Sequence, residues 1–88
     1  MANLIIADSA PEVTSSLNEF FSKLGFCIYT TNIPEEIIDL VQQYKPDIII
    51  MEIRFENIER WDIIRKVKSI ATNVKIVICY KIVKCPVY

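Results

Sequence analysis

The stretch KPDIIIMEIRFEN, residues 45–57, decides the fold of this 88-residue chain. Pro46 ends any helix before it, because its ring clashes with the preceding turn and it has no N–H to donate. Four apolar side chains then stand in a row, Ile48 to Met51. A strand that is apolar on both sets of alternating side chains is buried on both faces, as in a parallel sheet covered by helices on either side. The run closes on an acid, Glu52. A carboxylate at the exit of a buried strand is either a working group or a tolerated oddity.

Outward from this strand, short apolar runs alternate with helical periodicity. NLIIA (3–7) reads as a first strand, again a continuous apolar run from Leu4 to Ala7. PEVTSSLNEFFSKLG (11–25) reads as a helix with Pro11 in its first turn and Gly25 as its stop. Its apolar positions Val13, Leu17, Phe20, Phe21 and Leu24 recur at helical spacing. FCIYT (26–30) is a second strand, and PEEIIDLVQQY (34–44) a second helix with Ile37, Leu40, Val41 and Tyr44 on one face. The quoted stretch supplies the third strand, 47–53. IERWDIIRKVKSIA (58–71) is a third helix with Ile63, Ile64, Val67 and Ile70 inward, and VKIVICY (74–80) a fourth strand. This order predicts an α/β fold with right-handed crossovers and helices on both faces of a parallel sheet.

Composition narrows the function classes. The apolar share of 52% is high for so short a chain and suggests that a second molecule covers part of it. A net charge of −1, with acids and bases interspersed, gives no field that draws in nucleic acid or an anionic membrane. Arg60, Arg65, Lys66 and Lys68 read as the wet face of the third helix. Three cysteines without paired spacing fit a reducing cytoplasm, and the absence of histidine leaves zinc without its usual nitrogen ligands. No apolar run approaches the roughly 20 residues that span a bilayer. The expectation is a cytoplasmic protein with no cofactor.

In an open parallel sheet, ligands gather at the carboxyl ends of the strands where the winding reverses. Asp8 ends the first strand, Glu52 the third and Cys79 the fourth; with strand order 2-1-3-4, Asp8 and Glu52 face each other there. From LIIADSAPEV through KLGF and KPDIIIMEI to VKIVICY, the chain resembles the receiver domain of bacterial two-component response regulators. The resemblance implies a flavodoxin-like three-layer sandwich, β1-α1-β2-α2-β3-α3-β4, without the family's last helix, strand and helix. It places a receiver-like domain at 1–80 and a strand extension or tail at 81–88.

The same resemblance implies a site and shows where this sequence departs from it. The family holds Mg²⁺ with an acidic pair after the first strand; here Asp8 is followed by Ser9. The phosphoacceptor aspartate aligns with Glu52, whose carboxylate reaches about 1.3 Å further, roughly one C–C bond. The hydroxyl residue ending the fourth strand aligns with Cys79, a weaker donor, and the small residue after it with Tyr80. Asp8, Ser9 and Glu52 then form a vestigial acidic pocket, with Glu52 a fixed charge that partly mimics a phosphoryl group. Weak Mg²⁺ binding at Asp8 and Glu52 stays open. Arg54, two residues beyond Glu52, is the candidate substitute for the cation, or else points into water.

Other residues have plainer roles as alternatives. Asp8 and Ser9 together would also cap the first helix. Trp61 is a packing residue or an anchor for a partner, and Cys27 a small apolar filler. Cys79 and Cys85 would make a redox pair only with a basic neighbour, and none is evident. The tail KIVKCPVY (81–88) continues the fourth strand without a break, so residues 74–85 would form one long strand with an open edge. Phe20, Phe21, Ile78, Tyr80, Ile82 and Val83 are the expected surface for a second copy or another protein. The expected function is a pseudo-receiver without catalysis of its own, working by protein–protein contact. A minimal receiver that still accepts phosphate and a purely structural dimer are the alternatives.

Overall fold

A computed structural model describes residues 2–54 and 59–81 of the chain. Within them, strands and helices alternate: β1 (Asn3–Ala7), α1 (Pro11–Lys23), β2 (Cys27–Thr31), α2 (Ile37–Tyr44), β3 (Ile48–Arg54), α3 (Glu59–Ile70) and β4 (Lys75–Lys81). The strands pair in parallel in the order β2-β1-β3-β4. The parallel sheet is what the apolar runs of β1 and β3 predict, and its order is the flavodoxin-like one that the resemblance implies. The second helix enters through a 3-10 turn, Pro34–Glu36, rather than starting as α-helix at Pro34. The stretch 82–85, expected to prolong β4, lies outside the described residues.

Strand alternation sorts the side chains between two layers. Ile5, Ala7, Ile49 and Met51 form one core with Ile37 and Val41 of α2, Val67 of α3, and Val74, which precedes β4. Trp61, Ile63, Ile64, Ile76 and Ile78 pack against that core, so the packing role of Trp61 holds. The opposite face carries Leu4 and Ile6, both fully buried, under α1, which packs on β1 and β2. Tyr29 of β2 stacks on Tyr44 of α2 with ring centroids 3.7 Å apart, tying the end of α2 to the β2 edge.

The two sides of the sheet are not covered alike. The strand β3 is sealed at Ile49 and Met51, but Ile48 and Ile50, on the α1 side, are only partly buried. Beside them on β4, Val77 is 49% exposed. The expectation of burial on both faces therefore holds for β1 and only half for β3, because α1 sits over β1 and β2. The apolar stripe of α1 is thinner than its spacing predicts for the same reason. Val13, Leu17 and Phe21 are half-buried, whereas Phe20 and Leu24 are 58% and 61% exposed. At the end of α3, Ile70 is likewise exposed rather than inward.

Gly25 ends α1 as its sequence position predicts, and its backbone shows why. Its φ of +92° is a conformation L side chains rarely adopt. It lets the N–H groups of Gly25 and Phe26 turn back to the carbonyls of Ser22 and Phe21 at 3.1 and 3.3 Å, the two bonds of a Schellman cap. Phe26 then meets Phe21 edge-on, 5.7 Å between centroids. Lys45 ends α2 in the left-handed region too, at φ 46°, and Pro46 prevents continuation.

Two substitutions test this packing by urea unfolding. Ile49→Ala, at a fully buried central-strand position, is expected to lose about 2–5 kcal/mol. Gly25→Ala meets no atom within 4 Å of the new Cβ, so its cost is backbone strain alone, about 1 kcal/mol.

Candidate functional site

The pairing of β1 with β3 runs from Leu4↔Ile48 to Ala7↔Met51, so the next residues, Asp8 and Glu52, leave the sheet side by side. Both follow the Leu4, Ile6 and Ile48, Ile50 alternation and lie on the α1 side of the sheet. Both are buried, Asp8 to 5% and Glu52 to 2% exposure. Removing two carboxylates from water is costly unless hydrogen bonds replace the lost hydration. The loop from β1 to α1 provides them.

Ser9 donates twice to one oxygen of Glu52: its backbone N–H to Oε2 at 2.9 Å and its hydroxyl to the same atom at 2.8 Å. The next N–H, of Ala10, goes to Asp8 Oδ1 at 2.9 Å. Consecutive backbone N–H groups thus face two buried acids, an arrangement that favours negative charge. They stand immediately before α1, a 13-residue helix that starts at Pro11 and has its positive dipole end here. The expected Asp8–Ser9 cap is corrected in one respect. The N-cap residue is Ala10, which has no side-chain cap bond, and Asp8 holds the N–H of that residue instead.

A second set of bonds fixes the loop from behind. Asn32 Nδ2 donates to the Asp8 carbonyl at 2.9 Å and to Thr14 Oγ1 at 3.2 Å, while the Thr14 hydroxyl donates to the Pro11 carbonyl at 2.9 Å. Thr14 is the buried residue of α1. Neither Asn32 nor Thr14 stands out in the sequence. The pairing Ala7↔Thr31 is the signal that locates Asn32, since it sets that residue beside Asp8 once the parallel order is known.

The remaining candidates are placed as follows. Cys79 pairs with Glu52 in register, so it lies beside the acid on the same face; it is an exposed free thiol, and β4 runs two residues past it to Lys81. Cys27 is half-buried. The strand β3 extends to Arg54, as its assignment to this site requires, but the side chains of Arg54 and Tyr80 lie outside the described residues, as do Ile82, Val83 and Cys85. Ile78 packs against the core and is only partly available to a partner, while Val77 next to it is the exposed aliphatic of the strand.

The donor set is that of a hydrogen-bonded acid pair, with fewer oxygens left open than the shell of a magnesium ion favours. Mg²⁺ demands near-octahedral oxygen ligands. Here one oxygen of each carboxylate already accepts from the loop, and the third position is a serine whose hydroxyl hydrogen points at Glu52. Among the described residues no three His, Cys, Asp or Glu side chains are grouped to hold a metal.

Known proteins resemble this arrangement along most of the chain. The family model of the response regulator receiver domain matches residues 4–83. Sporulation initiation phosphotransferase F of Bacillus subtilis is 23% identical over 75 residues, which cover 85% of this chain and 60% of that protein. The N-terminal domain of a response regulator receiver protein from Methanoculleus marisnigri superposes with a TM-score of 0.77 at 15% identity, covering 89% of this chain and 65% of that one. A transiently phosphorylated switch of bacterial signal transduction gives 0.72 at 14% identity, covering 88% and 62%. The chain thus spans roughly three fifths of the length of these relatives. No helix among the described residues is long and apolar enough to cross a membrane.

Asn32 offers a clean test of how the loop is held. Asn32→Ala should lose about 1–2 kcal/mol in urea unfolding, the cost of leaving the Asp8 carbonyl and the Thr14 hydroxyl without their donor. Asn32→Asp should cost more, because it turns an acceptor toward a carbonyl oxygen.

Proposed function

This chain belongs to the response regulator receiver family, and we propose that it serves two-component signalling as a pseudo-receiver, docking on a protein partner without accepting a phosphoryl group. The observation that carries this reading is the state of Glu52. The residue is 2% exposed, and one of its carboxylate oxygens accepts both the N–H and the hydroxyl of Ser9. An attacking carboxylate has to be free to meet a phosphorus atom in line, and a misplacement of about 1 Å costs on the order of 100-fold. Glu52 carries the longer side chain and is turned into the protein. It acts as a constant negative charge, a partial stand-in for a phosphoryl group with its nearly two charges.

In this reading the protein is no enzyme and works in the cytoplasm. The relatives' names speak of phosphotransfer and of a transiently phosphorylated switch, and that chemistry is the competing reading for this chain. Incubation with a small phosphodonor and Mg²⁺, followed by intact mass measurement, separates the two. The expected result is an unchanged mass. A phosphoryl adduct that disappears in Glu52→Gln would contradict the proposal.

We also propose that the partner includes a second copy. The strand β4 is an edge of the described sheet, and an open edge beside exposed apolar side chains invites pairing. Val77 on that edge and Phe20 on α1 are both about half exposed, at 49% and 58%. Light scattering behind a sizing column should give a dimer mass that Val77→Asp reduces to a monomer. A wild-type monomer at all concentrations would exclude the dimer.

A further inference from the structure

Ser9 and Glu52 both depart from what the resemblance implies, and the structure shows that the two departures fit each other. The side chain of Glu52 spans the gap to Ser9, and both donors of Ser9 converge on the atom that arrives, Oε2, at 2.9 and 2.8 Å. We infer that this pair is a matched exchange: Ser9 holds Glu52 by charge-assisted hydrogen bonds in place of a divalent cation, and is the residue that keeps the pocket free of metal. The inference rests on the pseudo-receiver reading and adds the physical device behind it.

Charge counting supports the exchange. An acid at position 9 beside Asp8 and Glu52 would set three carboxylates around one buried pocket. Such a cluster repels itself unless a cation joins it, and oxygen-rich, acidic pockets are what hard divalent ions select. A serine there removes one negative charge and supplies a hydrogen where a ligand oxygen would stand. The neighbouring Ala10 N–H on Asp8 and the positive end of α1 act in the same direction, lowering the need for an external cation. A hydroxyl on a buried carboxylate is a short, strong bond compared with a neutral one, so the pair also ties the β1–α1 loop to β3.

The test uses the full chain, with Mn²⁺ as the probe, read by the loss of the free-ion electron spin resonance signal and by urea unfolding. Wild type is expected to bind Mn²⁺ no tighter than about 1 mM, the weak end of oxygen-ligand sites. Ser9→Asp should be less stable without metal, bind Mn²⁺ at least about 10-fold tighter, and recover stability on binding. If that variant fails to fold without metal, it is refolded in Mn²⁺. A double-mutant cycle of Ser9→Ala and Glu52→Gln supplies an independent reading: the effects on the folding constant should be non-additive by about 10-fold. Additive effects, or Mn²⁺ affinity equal in wild type and Ser9→Asp, would overturn the inference. A wild type that binds Mn²⁺ yet takes no phosphate defeats this inference alone. A wild type that takes phosphate defeats the pseudo-receiver reading whatever the metal result.

Discussion

The parallel pairing of β1 with β3 is the constraint on which the rest of the site depends. It sets two buried strands at the centre of the sheet in a register that brings Asp8 and Glu52 out together. Two carboxyl groups at 5% and 2% exposure cannot stand there without hydrogen-bond partners. The next three residues are therefore committed: Ser9 and Ala10 turn their N–H groups onto the acids, and Pro11 opens α1 with its positive end behind them. Asn32, from the far side, holds the Asp8 carbonyl and the Thr14 hydroxyl and keeps that turn in place. Fold and site share one set of bonds.

That dependence explains how a receiver fold accommodates an altered pocket. Lengthening the acid at position 52 alone would bring its carboxylate close to the β1–α1 loop, and removing the acid at position 9 alone would leave a pocket short of charge and of a ligand. Together they close on each other. The pocket that results is a hydrogen-bonded acid pair under the start of α1, with the exposed Cys79 thiol on the neighbouring strand. In the proposed reading, signalling by contact falls to the surfaces around it: the half-covered sheet at Ile50 and Val77, and the exposed side of α1 at Phe20.

Much of this was legible in the sequence, and the reasons differ from residue to residue. The apolar runs at 4–7 and 48–51, too short for helices and bounded by turn residues, mark buried parallel strands, because a sheet covered by helices on both sides buries both sets of side chains. Gly25 marks the end of α1, since a positive φ was needed there. The exposure of Phe20, Leu24 and Ile70 could not be read from helical spacing. Periodicity says which side chains share a face and not whether the sheet beneath extends far enough to bury them. The Ser9–Glu52 bond was hidden for a different reason. In the sequence Ser9 stands where the resemblance implies a carboxylate, and nothing local marks it as the donor to an acid 43 residues away. Asn32 and Thr14 were invisible for the same reason: their roles arise only when parallel pairing brings β2 and α1 around Asp8.

The most direct test of the central claim is a high-resolution crystal structure of the chain grown in magnesium. The account predicts Glu52 Oε2 within hydrogen-bond distance of both the N–H and the hydroxyl of Ser9, near the 2.9 and 2.8 Å found here, with no ion between Asp8 and Glu52. A magnesium ion bridging those two carboxylates, with Ser9 turned away, would contradict it.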